Sequence, residues 1–164
     1  MLLSFEAMLF ACEVHKTQRR KYTGDPYVAH LAEVAGIVAC AESDMLSDER
    51  DLMVAVAWLH DCVEDQEVSF DILSHKFGDV VSKGVWMLSD IELGNRAERK
   101  AAARARLATA PGWVQSIKCA DLISNTSSIV LHDPKFAVTF LQEKHLLLDV
   151  LTKADPLLLK MARE

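Results

Sequence analysis

Apolar residues along this chain recur three and four positions apart, the spacing of one face of an α-helix, and no segment alternates convincingly as a strand would. Near the N-terminus the residues with this spacing are Leu2, Phe5, Leu9 and Cys12. In the next segment they are Tyr27, Leu31, Val34 and Val38. The pattern predicts a helix in each of these segments.

Helix starts are signalled repeatedly by an aspartate followed by a proline, because aspartate caps a helix and proline tolerates its first position. The three pairs are Asp25–Pro26, Asp133–Pro134 and Asp155–Pro156. Ser47 and Ser69 are predicted to cap two further helices, and Gly78 is predicted to stop the second of these. Helices are also expected through 80–88, 95–110 and 113–130. Residues 52–59 are apolar on every side, so their helix should be central. The predicted fold is all-α, one compact helical bundle in a single domain over residues 1–164.

Composition is that of a globular protein, since 51% of the residues are apolar and only 6 are glycine and 4 proline. The net charge of −6 argues against a general nucleic-acid partner, although it leaves room for an anionic small molecule. No apolar run reaches the roughly 20 residues of a membrane span, and Glu6 interrupts the only stretch that resembles a signal peptide. No membrane partner is therefore expected, and the oligomeric state is left open.

Four scattered cysteines, without a CxxC pair, are interpreted as free core thiols, which indicates a cytoplasmic protein. They are Cys12, Cys40, Cys62 and Cys119.

A histidine and three carboxylates follow the apolar run: His60, Asp61, Glu64 and Asp65. On one continuous helix of about 100° per residue all four would share a side. Carboxylates that face a packed interior need a counter-charge. Few basic residues adjoin this stretch in sequence, so a bound metal cation is the economical explanation.

His30 and Asp121 could complete such a metal site with His60 and Asp61, a ligand set that suits Mn, Fe or Zn. Lys118 and Asn125 fall on the same helical face as Asp121. Glu64 and Asp65 would then project beside the metal, where a carboxylate can orient a water molecule and accept its proton.

The motif HDCVED resembles the HDxxED signature of the HD-domain metal-dependent phosphohydrolases. More narrowly, it is similar to the (p)ppGpp hydrolase domains of bifunctional alarmone enzymes and to the small alarmone hydrolases. Three further segments agree with that family in order and spacing. They are HKTQRRKYTGDPYVAHLAEVAGIV, which resembles H..Q.RK followed by G.PY..H, then FGDVVSKGV, and then IKCADLISN.

The resemblance implies Mn²⁺ held by His30, His60, Asp61 and Asp121, with Glu64 and Asp65 activating the attacking water. Arg20, Lys21, Tyr27 and Asn125 match substrate-binding positions, and the role of Lys118 is left open. The implied partner is a small-molecule nucleotide. The implied reaction removes a 3′-pyrophosphate from a guanosine nucleotide.

Several residues depart from the family pattern. Leu31 stands where the family has proline, and Tyr22–Thr23 form an insertion before Gly24. The sequence NTS replaces an N-x-R, and GVWM replaces GVTK, so an arginine and a lysine are lost. All the expected metal ligands are present, whereas fewer basic residues remain to bind phosphate.

Other candidate residues are interpreted as structural. The basic residues Arg96, Arg99, Lys100, Arg104 and Arg106 are expected to form a solvated helix face. The remaining histidines (His15, His75, His132 and His145) are expected to have structural roles, and Cys62 is expected to pack in the core. Two other functions stay open: an HD-domain phosphatase for another nucleotide or phosphorylated metabolite, and a non-catalytic nucleotide-sensing module.

Overall fold

The computed structural model describes residues 1–41 and 46–164, and within these ranges its regular structure is helical. An isolated β-bridge between Arg19 and Pro26 is the one extended pairing found there. The helices, α1 to α10 in chain order, are Leu3–Val14, Val28–Ala39, Ser47–Leu59, Cys62–Gln66, Phe70–Phe77, Asp79–Leu88, Arg96–Thr109, Gly112–His132, Pro134–Leu148 and Pro156–Arg163. The prediction of an all-α fold is therefore confirmed. None of the helices in these ranges is long and apolar enough to cross a bilayer.

The centre of the bundle is formed by α3 and α8. Helix α3 packs against α1 and α2, while α8 packs against α2, α9 and α10. Ala55, Val56 and Leu59 of α3 expose no surface, and neither do Val114 and Ile117 of α8, because each of these helices is surrounded by others. The expectation that residues 52–59 are central is confirmed.

The large apolar residues whose spacing predicted the first helix face outward. Ala7 and Ala11 are fully buried, whereas Leu2, Phe5 and Leu9 are 66%, 44% and 51% exposed. Small residues on the buried face let α1 approach α3 closely, and the helical spacing alone does not reveal which face is the inner one.

The three Asp–Pro pairs behave differently. Asp133 accepts a hydrogen bond from the backbone N–H of Phe136, and Asp155 accepts from those of Leu157 and Leu158, so both cap their helices as predicted. The prediction for Asp25 is wrong, because α2 begins at Val28 and Pro26 pairs with Arg19 instead.

Two further predictions about helix ends need correction. Ser47 is the first residue of α3 rather than its cap, and the backbone N–H of Leu46 binds the Glu49 carboxylate at 3.2 Å. Residues 60–65 do not lie on one helix, because α3 ends at Leu59 and α4 starts at Cys62. Ser69 caps α5, and Gly78 ends that helix, as predicted.

The cysteines of the described residues are free, as expected, but they are not all in the core. Cys62 and Cys119 are buried, Cys12 is half-buried, and Cys40 is exposed at the C-terminal end of α2. The interpretation of Cys40 as a core thiol is therefore wrong.

Replacing Asp155 by alanine should lower the free energy of unfolding by about 1 kcal/mol, because two backbone N–H groups lose their acceptor. The same replacement at Asp25 should change it by less than about 0.5 kcal/mol, since no cap is lost there. Urea denaturation without added metal measures both values. Equal losses at the two positions would contradict this assignment of caps.

Candidate metal centre and active-site cavity

Four side chains from three parts of the bundle meet at one point. His30 lies in the first turn of α2, and Asp121 lies in the middle of α8. His60 and Asp61 form the link between α3 and α4. His30, His60 and Asp121 are at most 7% exposed, so these polar groups are enclosed by protein.

The ligand atoms of this group are close enough to share one ion. His30, His60 and Asp121 each offer a ligand atom, and the three atoms lie within 4.8 Å of one another. Asp61 Oδ2 is 3.0 Å from His60 Nε2 and 3.6 Å from His30 Nε2. Asp121 Oδ1 is 3.4 Å from His30 Nε2 and 3.7 Å from His60 Nε2. The structure thus brings together all four residues that the sequence nominated as metal ligands.

Both imidazoles present an unused nitrogen to the centre of this group. The Nε2 atoms of His30 and His60 are buried and make no hydrogen bond. His60 Nδ1–H donates to the carbonyl of Ala57 at 2.8 Å, which leaves the lone pair of the neutral ring on Nε2. Buried polar atoms are rarely left without partners, so the two nitrogens fit the role of metal ligands.

The electrostatics of the group also favour a cation. Burial would lower the pKa of His60, but the carboxylates of Asp61 and Asp121 outweigh burial and raise that pKa well above its usual value. Burial would raise the pKa of Asp121, but Lys118 and the two imidazoles hold it well below its usual value. Positive charge at this point is therefore strongly stabilised.

Neighbouring side chains fix the two carboxylates in place. Tyr27 donates its hydroxyl proton to Asp61 Oδ2 at 2.6 Å. Lys118 Nζ donates to one oxygen of Asp121 and Asn125 Nδ2 to the other, both at 2.7 Å. Lys118 is thus a direct partner of Asp121.

The two remaining acidic residues of the motif are held by hydrogen bonds from two different segments of the chain. The backbone N–H of Asp90 donates to Glu64 Oε2 at 2.9 Å, and Gln18 Nε2 donates to Asp65 Oδ2 at 2.8 Å. Burial raises the pKa of Glu64 above its usual value, although part of the side chain still reaches solvent. Each carboxylate keeps an oxygen that these two bonds do not use.

His15 and Gln18 continue this network. The His15 ring is buried, stacks on Tyr27 with 5.3 Å between centroids, and bonds Gln18 Oε1 through Nδ1 at 2.6 Å. Because Gln18 also binds Asp65, it is a site residue that the sequence reasoning missed. Its place in the H..Q.RK motif could have identified it.

Arg20 and Lys21 lie apart from the cavity described below. Arg20 pairs with Glu33 at 3.2 Å, Glu33 accepts from Ser124, and Ser124 bonds His30 Nδ1 at 2.9 Å. Arg20 is thereby connected to a candidate ligand through two side chains. The ammonium of Lys21 lies over the Tyr22 ring, 4.9 Å from its centroid. Substrate contact by either residue stays a prediction.

We call His30, His60, Asp61 and Asp121 the metal-binding group. A cavity of about 330 Å³ opens beside it. Its acidic side carries Asp61, Asp121, Glu64 and Asp65, and its walls also include Tyr27 and Asn125. Helices α8 and α9 add the apolar residues Leu122, Ile129, Phe136, Phe140 and Leu147. The basic residues that line it are Arg96, Lys100, Arg104, Lys118 and Lys144.

The solvated helix face predicted for α7 is confirmed only in part. Arg96 is exposed, although it also lines the cavity. Arg99, Lys100 and Arg104 are half-buried, and the last two line the cavity. The Arg106 side chain is only 10% exposed, and it binds the carbonyl of Met87 at 3.2 Å. Helix propensity and charge pattern do not show which side of α7 faces the cavity. Lys144 of α9 also lines the cavity, and no sequence motif identified it.

Comparisons with known proteins agree with this geometry. Residues 7–111 match the model of the HD domain family. A "Probable guanosine-3′,5′-bis(diphosphate) 3′-pyrophosphohydrolase" of Synechocystis is 33% identical over 79% of this chain, but the match covers 17% of that protein. "Guanosine-3′,5′-bis(diphosphate) 3′-pyrophosphohydrolase MESH1" of Drosophila melanogaster is 32% identical over 79% of this chain and 70% of its own length.

A solved structure described as "A metazoan ortholog of SpoT hydrolyzes ppGpp and plays a role in starvation responses" has the same fold. It covers 99% of this chain with a TM-score of 0.85, and 92% of the solved chain is matched, at 24% identity. The family model, these relatives and the shared fold confirm the resemblance read from the motifs. This chain belongs to the HD domain family.

Proposed function

We propose that this chain is a metal-dependent phosphohydrolase whose substrate is (p)ppGpp and whose reaction releases the 3′-pyrophosphate. The main support is the buried group of two imidazoles and two carboxylates that opens onto a cavity with both acidic and basic walls. The names of the relatives from Synechocystis and Drosophila point to the same substrate. The four free cysteines are consistent with a cytoplasmic location.

The proposed active unit extends beyond the segment that matches the family model. That segment ends at residue 111, whereas Asp121 and the α9 wall of the cavity follow it. We therefore take residues 1–164 as one functional domain.

His30, His60, Asp61 and Asp121 would hold a divalent ion, proposed to be Mn²⁺, with Fe or Zn also compatible with these ligands. Such an ion supplies Lewis acidity toward the scissile phosphate and lowers the pKa of water. Tyr27, Lys118 and Asn125 keep the carboxylates oriented by the hydrogen bonds described above. Tyr27 and Asn125 also line the cavity, where they can contact the nucleotide.

Glu64 and Asp65 are proposed to prepare the attacking water. The raised pKa of Glu64 makes it a stronger base than an ordinary carboxylate, so it can accept a proton from the water as the water oxygen bonds to phosphorus. Gln18 keeps Asp65 directed by its hydrogen bond. The bond from phosphorus to the 3′ oxygen breaks, the 3′ oxygen takes up the proton that Glu64 accepted, and pyrophosphate leaves.

His60→Ala and Asp121→Asn should each abolish stabilisation by Mn²⁺, because the first removes a ligand nitrogen and the second removes the negative charge of a ligand. In the unchanged protein, free Mn²⁺ at about a hundredfold excess over its dissociation constant should add about 2.7 kcal/mol of stability. The measurement is the melting temperature with and without MnCl₂, together with the bound metal per chain. His132→Ala on α8 is the matched control, since His132 is exposed. Full stabilisation in His60→Ala would refute the site.

Assay of the metal-loaded protein against a panel of nucleotides tests the substrate. The panel contains ppGpp, pppGpp, nucleoside mono- and triphosphates and a generic phosphodiester, and the products are identified by chromatography. Pyrophosphate from ppGpp is the expected result. Orthophosphate from a monophosphate would favour a phosphatase of the same family. Binding of ppGpp without turnover would favour a nucleotide-sensing module.

Glu64→Gln should lower kcat by about 10²- to 10⁴-fold while changing KM little, because the base is lost but the shape of the side chain is kept. Glu67→Gln is the matched control, since Glu67 is exposed and does not line the cavity. Steady-state kinetics with ppGpp measure both variants. An unchanged kcat in Glu64→Gln would contradict its role as the base.

A further inference from the structure

The basic residues of the cavity fall into two groups according to their partners. Arg96 makes two hydrogen bonds of 2.7 Å to Glu143, Lys100 pairs with Asp90 at 2.8 Å, and Lys118 pairs with Asp121 at 2.7 Å. These three positive charges are neutralised within the protein.

Arg104 and Lys144 form the second group, since within residues 1–41 and 46–164 neither has a carboxylate partner. Arg104 is half-buried on α7 and faces the cavity. Lys144 is only 7% exposed on α9, and its ammonium donates one hydrogen bond, to Thr126 Oγ1 at 3.0 Å. An ammonium has three N–H donors, so two of them have no acceptor among the described residues.

A buried cation without a counter-charge is unfavourable unless an anion joins it. Burial accordingly lowers the pKa of Lys144 from its usual value. The cavity that Lys144 and Arg104 line is also lined by Asp61 and Asp121 of the metal-binding group. A ligand that fills the cavity can therefore contact that group and the two cations at once.

The hydrogen bond of Lys144 places its ammonium against α8. Its acceptor, Thr126, follows Asn125, and Asn125 lines the same cavity. Helix α9 thus supplies one cation to the cavity, and Arg104 adds a second cation from α7.

We propose that Arg104 and Lys144 are the specificity-determining pair that binds the phosphates of the substrate that are not hydrolysed, which in a 3′,5′-bisphosphorylated nucleotide are the 5′-phosphates. This inference rests on the proposed function. The phosphoryl group that reacts lies at the metal-binding group, and the second anion lies at Arg104 and Lys144. Phe136, Phe140 and Leu147 give the same cavity an apolar wall against which a base can pack.

Arg104→Gln and Lys144→Met test the pair by the separation of KM from kcat. With ppGpp, each variant should raise KM about tenfold or more, the loss of one charge-assisted hydrogen bond, and should leave kcat within about threefold. With guanosine 3′-diphosphate, which lacks the 5′-phosphates, the KM of both variants should equal that of the unchanged protein. Lys135→Gln on α9 is the matched control, because Lys135 is exposed and does not line the cavity.

Equal KM values for ppGpp in the variants and in the unchanged protein would overturn the inference. An equal rise in KM for both substrates would also overturn it, because that result indicates a general structural effect. Melting temperatures identify variants that do not fold, and if Lys144→Met is among them, Arg104→Gln decides alone.

Binding of GDP separates this inference from the proposed function. If the unchanged protein hydrolyses no nucleotide of the panel, the proposed function fails. The pair is then supported if Arg104→Gln weakens GDP binding about tenfold or more, and it is refuted if binding stays the same.

Discussion

The structure depends on one electrostatic constraint, the enclosure of two aspartates and two histidines where α2, α8 and the link between α3 and α4 meet. Within the described residues, Lys118 is the one permanently charged cation that contacts Asp121 or Asp61. Its single ammonium binds one oxygen of Asp121, while the oxygens that face the two imidazoles keep their negative potential. Buried carboxylates are costly without compensation, so this point of the fold is built to receive a divalent cation. The surrounding helices fix the positions of the four candidate ligands.

The link between α3 and α4 supplies two members of this group, His60 and Asp61. Had residues 59–66 continued as one helix, His60, Asp61, Glu64 and Asp65 would have spread over more than a third of its circumference, about 140°. The helix is instead interrupted at His60 and Asp61, and Asp61 Oδ2 lies 3.0 Å from His60 Nε2 and 3.6 Å from His30 Nε2. Glu64 then meets the backbone of Asp90, and Asp65 meets Gln18. The two carboxylates are thereby held by different segments.

Sequence alone predicted the metal-binding group but only part of its surroundings. His30, His60, Asp61 and Asp121 were identified because motif spacing survives small errors in helix boundaries. The predicted helix starts at Asp25 and Ser47 were wrong. Pro26 pairs with Arg19 instead of beginning a helix. The Glu49 side chain binds the backbone N–H of Leu46, so Ser47 is not the cap. The side of α7 that faces the cavity was not predicted, because a helix rich in alanine and basic residues has no distinct apolar face in its sequence. Lys144 was missed because its burial depends on a contact with α8 that is distant in sequence.

Arg104 and Lys144, the proposed phosphate-binding pair, lie outside the motifs that carry the candidate metal ligands. The residues proposed to hold the metal and to activate water lie in those motifs, and a metal site tolerates little displacement. A phosphate group, by contrast, accepts charge from many directions, so an arginine lost from one helix can be replaced by cations on two others. In this chain α7 and α9 supply positive charge facing the cavity, whereas the segment after Asn125 no longer does. In the function proposed here, these cations bind the part of the nucleotide that is not hydrolysed, and the group at His60 and Asp121 stays unchanged.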